Sequence, residues 1–304
     1  MKKAISILLV ILTFALISAQ TVGEKGFTEL MKAARTNQFT DASKLIAEKK
    51  DINAADDAGW TALMWAARYN SKDVISLLVI AGANLEAKQE SGFTALMIAS
   101  AFGSSDAVQL LLNAGADVEN RNNIGMTALM TATETDSAAI AQILLNNGAD
   151  IEAADYYGKT ALMWSAVRNA DDTANLLIAY GANVDAKTHS ASFEEEQEQN
   201  FWALNVYDPY GKNDSSRTAM MLAAQANSTD VLKLLIREKA ELEAVDATGQ
   251  TALMYAAVND ATDSLKLLVD AGAKRAAKSS DGKTALQLAK EAENTTAVNI
   301  LLGK

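Results

Sequence analysis

Few side chains in this sequence could carry out chemistry. It contains no Cys and a single His, His189, so it offers no thiolate nucleophile, no thiolate zinc site and no convincing Ser-His-Asp set. No Gly-rich phosphate-binding motif occurs. Two closely spaced carboxylate pairs could do acid–base work: Glu196 with Glu198, and Asp208 with Asp214. We therefore expect no cofactor, no metal ion and no catalytic residue, with a carboxylate-based hydrolase as the alternative.

The charge balance constrains the kind of partner. The chain has 27 Lys and Arg residues against 38 Asp and Glu residues, a formal net charge of -11. Binding to nucleic acid requires clustered basic charge, so the balance argues against a nucleic-acid partner. An acidic surface instead favours a basic protein partner and speeds the encounter with it. We expect a monomer that binds a protein, with no nucleic acid involved.

The N-terminus has the form of a secretory signal peptide. Lys2 and Lys3 precede an apolar run over residues 4–17, and the small residues Ser18 and Ala19 follow it. The run is shorter than the roughly 18 residues expected of a membrane-spanning helix. We predict that residues 1–19 are removed and that residues 20–304 are exported to the bacterial periplasm or the cell exterior, without stable membrane insertion.

An internal repeat organises the rest of the chain. The sequence Thr-Ala-Leu-Met or a close variant occurs eight times, at Thr28, Thr61, Thr94, Thr127, Thr160, Thr218, Thr251 and Thr284. Successive threonines, which we use to number the repeats, lie 33 residues apart except between repeats five and six, where the spacing is 58. The long spacing indicates one complete repeat carrying an insertion of 25 residues, which we place roughly at 188–213.

Each repeat has the signals of two short helices. In every repeat except the irregular sixth, which has Ser216, a Gly two residues before the Thr suits a turn with positive φ. The Thr is a candidate N-cap for a helix of Ala, Leu and Met. Nine residues after the Thr stands Asn, Asp or Gly, which tolerate the left-handed conformation that ends a helix. A second helix with paired Leu residues follows, and in most repeats it ends at another Gly.

These motifs resemble the ankyrin repeat over nearly the whole chain that follows the predicted signal peptide. The resemblance implies an all-α solenoid of about eight helix-turn-helix repeats with hairpin loops, whose loop tips and first helices line a concave surface. The family's Thr-Pro-Leu-His is Thr-Ala-Leu-Met here, so we expect apolar packing by residues such as Met64 and Met97 in place of a buried His. Trp65 and Trp164, four residues after their Thr, are predicted to lie in the core, with a surface location as the alternative.

The positions that the family presents to partners carry large side chains. Aromatic and Arg residues are common binding anchors, and apolar residues at successive tips indicate an interface. We predict an exposed strip over repeats two to five, although these tips could equally pack against one another. The strip comprises Trp60, Arg68, Tyr69, Phe93, Phe102, Met126, Tyr156, Tyr157 and Arg168.

The insertion is rich in Glu and in aromatic residues, which is unusual for a solvated linker. It adds four candidate partner-binding residues: Phe201, Trp202, Tyr207 and Tyr210. Two interpretations stay open, a binding arm and a cover over the irregular sixth repeat. The sequence as a whole predicts a non-enzymatic protein-binding module. An architectural or stress-protective envelope protein is a further alternative, which would show no discrete patch at Trp60, Phe93 and Met126.

Overall fold

The computed structural model describes residues 26–189 and 216–303. Over these residues the chain forms sixteen α-helices and no β-strand, which confirms the predicted all-α repeat architecture. Each repeat contributes a first and a second helix. The first helices are α1 (Glu29–Arg35), α3 (Ala62–Arg68), α5 (Ala95–Ala101), α7 (Ala128–Thr131), α9 (Ala161–Arg168), α11 (Ala219–Ala226), α13 (Ala252–Val258) and α15 (Ala285–Glu291). The second helices are α2 (Phe39–Ala47), α4 (Lys72–Ile80), α6 (Ser105–Asn113), α8 (Ala138–Asn146), α10 (Asp171–Ala179), α12 (Thr229–Arg237), α14 (Thr262–Asp270) and α16 (Thr295–Leu301).

The repeat Thr begins each first helix, as predicted. Its backbone is extended, and in six repeats its hydroxyl accepts a hydrogen bond from the backbone N–H three residues later, which satisfies one of the free donors at the helix start. The six capping residues are Thr28, Thr61, Thr94, Thr160, Thr218 and Thr284. Thr127 and Thr251 have the same extended backbone without the side-chain bond. The short α7 continues as a 3₁₀-helix over Ala132–Thr135.

Left-handed residues end the helices, which confirms the predicted stops. The Asn, Asp or Gly nine residues after the Thr has positive φ in repeats one to seven, as does Glu293 in repeat eight. Lys49 and Lys239 replace the second stop Gly in repeats one and six and still adopt φ of 56° and 61°. Since a side chain with Cβ is strained there, these two lysines are local weak points. The turn Gly is also required sterically at Gly92, where a Cβ would lie 2.6 Å from the backbone N of Asn123.

The chain divides into two compact units, residues 1–150 and 151–304. In the first unit, the first helices pack in the order α1, α3, α5, α7, and the second helices pack in the order α2, α4, α6, α8. In the second unit the orders are α9, α11, α13, α15 and α10, α12, α14, α16. Leu and Met side chains of the first helices fill both cores, and Met64, Met97, Met130, Met163 and Met254 are all buried. The expected apolar replacement of the family's His is confirmed.

Two sets of hydrogen bonds join neighbouring repeats within each unit. At the helix stop, Asn70 Nδ2 donates to Asp106 Oδ2 of the next repeat over 3.2 Å, and Asn169 Nδ2 donates to Asp230 Oδ2 over 3.0 Å. At the loops, an acceptor side chain receives a backbone N–H of the next repeat. These acceptors are Asn53, Glu86, Glu119, Glu152, Asp185 and Glu243.

Repeats five and six keep both kinds of bond, Asn169 to Asp230 and Glu241 N–H to Asp185 Oδ1. The 25 extra residues therefore leave the stacking register of these repeats unchanged.

In the part of the chain that the structure describes, no helix has the length and hydropathy needed to cross a membrane. No group of acidic or His side chains among these residues is arranged to hold a metal ion. The predicted signal peptide, residues 1–19, lies outside the described residues.

Candidate functional site

Aromatic and Arg side chains of repeats one to three form a continuous cluster on the first helices. The Arg35 guanidinium carbon lies 5.3 Å from the Phe27 ring centroid, and the Phe27 ring meets the Trp65 ring edge-on at 5.5 Å. The Arg68 guanidinium carbon follows, 5.9 Å from the Trp65 ring and 4.5 Å from the Phe102 ring. We call these five residues the aromatic–arginine ladder. Cations over aromatic faces are attracted by the ring quadrupole, so the ladder holds its own side chains in place.

Two further rings enclose Arg68. Its guanidinium carbon lies 5.7 Å from the Trp60 ring and 5.6 Å from the Tyr69 ring. Tyr69 stacks on Trp65 with ring centroids 6.2 Å apart and keeps 48% of its surface exposed. Arg68 and Phe102 are half-buried and Arg35 is exposed. The ladder thus presents Arg35, Arg68 and Phe102 at the surface over a buried Trp65, and the exposed Tyr69 lies beside it.

The structure corrects one part of the predicted strip. Trp60, Phe93 and Met126 are exposed by only 4%, 7% and 5%, so the interpretation of these three residues as an exposed strip is wrong. All three side chains are buried, as the alternative also required, but the ring contact of Trp60 is with the first helix of its own repeat and not with the next tip. The cause is visible at Trp60, whose backbone N–H donates to Asp56 Oδ1 and whose C=O accepts from the Asp56 N–H. In this closed turn the Trp60 side chain is buried, and its ring centroid lies 4.8 Å from that of Trp65.

The core location predicted for Trp65 and Trp164 is confirmed, since both are buried. The structure also shows why these positions carry Trp, which the sequence analysis missed. Trp65 Nε1 donates to Asp56 Oδ2 over 3.4 Å, and Trp164 Nε1 donates to Asp155 Oδ2 over 3.1 Å.

Repeat seven forms the same pair with a Tyr, because Tyr255 Oη donates to Asp246 Oδ2 over 2.6 Å. Where the loop residue is Gln89 or Asn122, the partner position holds Ile98 or Thr131, and the pair is absent from those two repeats. The paired change of residue type between repeats could have revealed this contact from the sequence.

Repeat five places its predicted residues around a cation. The Lys159 ammonium lies 4.8 Å from the Tyr157 ring and 5.5 Å from the Trp164 ring. The Arg168 guanidinium carbon lies 6.0 Å from the Trp164 ring. Tyr156, Tyr157 and Arg168 are half-buried. Lys159 was not among the predicted site residues. It occupies in repeat five the position that Trp60 holds in repeat two.

Burial raises the pKa of Asp155 above its usual range, because the charged carboxylate is desolvated. The nearby Lys159 ammonium and the hydrogen bonds from Lys159 N–H, Tyr157 N–H and Trp164 Nε1 act in the opposite direction. The hydrogen bonds that the Asp155 carboxylate accepts come from Tyr157, Lys159 and Trp164 of its own repeat, so Asp155 stabilises the loop structure.

The base of the insertion is closed by the ordinary loop hydrogen bonds. Thr188 N–H donates to the Arg217 C=O over 2.9 Å, and the Arg217 N–H donates to Thr188 Oγ1 over 2.9 Å. Thr188 and Arg217 thus stand where Asp56 and Trp60 stand in repeat two. Arg217, another residue missed from the sequence, is 1% exposed, hydrogen-bonds Gln225 and lies 4.3 Å from the Tyr255 ring. The insertion residues proposed for binding, Phe201, Trp202, Tyr207 and Tyr210, lie outside the described residues, as do the carboxylate pairs of the hydrolase alternative.

Charge is distributed unevenly over the first three repeats. The charged residues of α1, α3 and α5 are Glu29, Lys32, Arg35 and Arg68, and Lys32 pairs with Glu29 at 3.7 Å in an exposed contact. Acidic residues of the same repeats stand in the loops, as at Asp51, Asp57, Glu86 and Glu90, and at the starts of second helices, as at Asp73. The three first helices therefore carry an excess of basic residues, although the chain is acidic.

Comparison with known proteins agrees with this architecture. No curated protein matches the chain. A family model described as ankyrin repeats (3 copies) matches residues 30–122, 96–188 and 189–279, which is well over half of the chain. Ankyrin repeats generally act as modules for protein–protein interaction and are typically not enzymes. The chain belongs to the ankyrin repeat family.

Proposed function

We propose that the chain is an exported protein-binding module that captures a protein partner through the first-helix face of repeats one to three. The observation that supports this proposal is the aromatic–arginine ladder, which offers half-exposed aromatic rings and Arg side chains on one face. Such residues are the usual anchors of protein interfaces, because they bury large areas at little cost in conformational entropy. We take this face to be the concave side of the repeats, as expected from the resemblance to ankyrin repeats.

Partner capture tests the proposal. The protein comprising residues 20–304 is immobilised, and proteins retained from a bacterial envelope extract are compared with those retained by the double variant Tyr69→Ala, Phe102→Ala. Tyr180→Ala is the matched control, because Tyr180 is similarly exposed at 43% but follows a second helix. We expect retention to fall at least ten-fold in the double variant and to remain within two-fold in the control. Equal retention by all three proteins would refute capture at this face.

Export is supported by the N-terminal sequence. Residues 1–25 fused to an alkaline phosphatase that becomes active only after export provide the test. We expect activity with the native segment and its loss when Leu8 and Leu9 are both changed to Arg, since two charges interrupt the apolar run. Activity that survives this change would argue against a signal peptide. Separating periplasmic from culture-medium fractions then distinguishes the two proposed locations.

One observation agrees with the architectural alternative. It required that Trp60, Phe93 and Met126 form no discrete exposed patch, and these residues are buried. It differs from the binding module in predicting that Tyr69→Ala, Phe102→Ala leaves every retained protein unchanged. The hydrolase alternative requires the insertion carboxylates, and changing Glu196, Glu198, Asp208 and Asp214 to the corresponding amides would test it in an activity screen.

A further inference from the structure

The ladder selects a partner by charge as well as by shape. Arg35 is exposed, Arg68 is half-buried among four rings, and Lys32 lies on the same helix as Arg35. Glu29 is the one acidic residue on the three first helices α1, α3 and α5. Its contact with Lys32 is an exposed pair, which contributes little and exchanges readily with a stronger partner.

We infer that the first-helix face of repeats one to three binds an acidic peptide segment containing an aromatic or aliphatic anchor. This inference rests on the proposed function and names its partner by chemistry. It is the opposite of the basic partner predicted from the net charge. That prediction counted carboxylates of the loops and second helices, whereas local charge decides what a particular face attracts.

The geometry suits a carboxylate of the partner. Arg68 lies against the Trp60, Trp65, Tyr69 and Phe102 rings, which restrict its motion and reduce the entropy lost when its planar group meets a carboxylate. Hydrogen bonds between Arg and carboxylate are charge-assisted and can be bidentate. A basic segment would instead face the cations Arg35 and Arg68 at close range, and like charges across an interface oppose binding.

The exposed ring of Tyr69 and the half-buried ring of Phe102 both lie against Arg68, 5.6 Å and 4.5 Å from its guanidinium carbon. They provide apolar area next to the cation, so an acidic residue and a neighbouring apolar residue of one segment can be bound together. This places the binding determinant in two adjacent side chains of the partner, one carboxylate and one apolar anchor.

Selection from a random dodecapeptide phage library on immobilised residues 20–304 tests the inference without assuming a partner. We expect the bound pool to be enriched in Asp or Glu next to aromatic or aliphatic residues. The dissociation constant of the most enriched peptide is then measured for the native protein and for Lys32→Gln, Arg35→Gln. The matched control Lys44→Gln, Lys72→Gln removes two exposed cations from the second helices α2 and α4.

We expect at least a ten-fold weaker affinity for Lys32→Gln, Arg35→Gln, a change below two-fold for the control, and binding that weakens as salt is added. A pool that is basic, uncharged or not enriched would overturn the inference, as would equal loss in both double variants. Envelope capture tests the proposed function separately. That function is supported if capture depends on Tyr69 and Phe102, even when the selected peptides are not acidic. It is refuted if capture does not depend on these two residues.

Discussion

Trp164 Nε1 donates a hydrogen bond to Asp155 Oδ2 over 3.1 Å, joining a first helix to the loop that precedes it. The same carboxylate accepts the backbone N–H groups of Tyr157 and Lys159 through Oδ1, each at 2.9 Å. One buried side chain therefore holds both the loop and the helix of repeat five. Asp56 with Trp65 and Asp246 with Tyr255 repeat this relationship in repeats two and seven.

Removing the indole donor should destabilise the protein. Trp164→Phe leaves Asp155 Oδ2 buried without its side-chain donor, and an unsatisfied buried acceptor costs about 1–3 kcal/mol. We expect a loss in the free energy of unfolding of that size by urea denaturation. Tyr255→Phe should act similarly through Asp246, whereas Tyr180→Phe at an exposed site should change stability little. A Trp164→Phe protein as stable as the native one would show that the bond contributes nothing.

The raised pKa of Asp155 predicts a pH dependence of stability. Because the folded state binds this proton more tightly than the unfolded state, the folded state holds more protons in the window from 3.8 up to the raised pKa. The contribution of Asp155 to stability therefore falls as the pH rises through that window. Urea titrations of the native protein and Asp155→Asn should show the native protein losing stability relative to the variant as the pH increases above 3.8.

Asp230 provides a control of opposite sign. Its hydrogen bond from Asn169, followed by that from Lys233, lowers its pKa below 3.8. Its contribution to stability is present above 3.8 and is lost as the pH falls through the lowered folded pKa. Relative to Asp230→Asn, the native protein should lose stability on acidification. Parallel pH curves for Asp155→Asn and Asp230→Asn would contradict both assignments.

Trp60 and Phe93 should be structural residues. Both are buried, and truncating a buried aromatic side chain typically costs about 3–5 kcal/mol. We therefore expect Trp60→Ser, Phe93→Ser to lower the thermal unfolding midpoint sharply by circular dichroism, in contrast to Tyr69→Ala. An unchanged midpoint would restore the exposed-strip interpretation at these two positions.

A glycine at the left-handed stop of repeat six should stabilise the protein. Lys239 has φ of 61°, and a left-handed residue with Cβ costs roughly 1–2 kcal/mol, offset in part by the greater entropy of an unfolded Gly. We expect Lys239→Gly to raise the free energy of unfolding by about 1 kcal/mol. Lys233→Gly, in the interior of α12, should lower it by about 1 kcal/mol. Destabilisation by both changes would mean that the Lys239 side chain contributes more than its backbone strain costs.

Excising the insertion distinguishes its two interpretations. Residues 189–216 are replaced by Ala-Thr-Gly, the three residues that join Asp246 to Gln250 in repeat seven, because Thr188 and Arg217 already form the ordinary loop bonds. Shortening the loop this much lowers the entropic cost of closing it by about 2 kcal/mol. We expect stability to be kept or increased if the insertion is a binding arm, and to fall if it covers the sixth repeat. Partner capture by the excised protein shows whether the arm contributes to binding.

The amino-acid sequence alone was sufficient for the repeat, the helix starts at each Thr, the left-handed stops and the burial of the Met residues. These features depend on local geometry and on a 33-residue period, and both can be read along the chain. The family match over three segments supports the same architecture.

Only the tertiary structure decided which side of the loop tips each residue occupies. Trp60, Phe93 and Met126 look like surface anchors in the sequence because they occupy positions that the ankyrin family presents to partners. Their burial depends on a closed loop turn and on packing against the helix that follows, as between Trp60 and Trp65. The same packing brings Arg68 against Phe102 of the next repeat, 34 residues away. Contacts between repeats depend on how the repeats stack, so the composition of one repeat does not determine them.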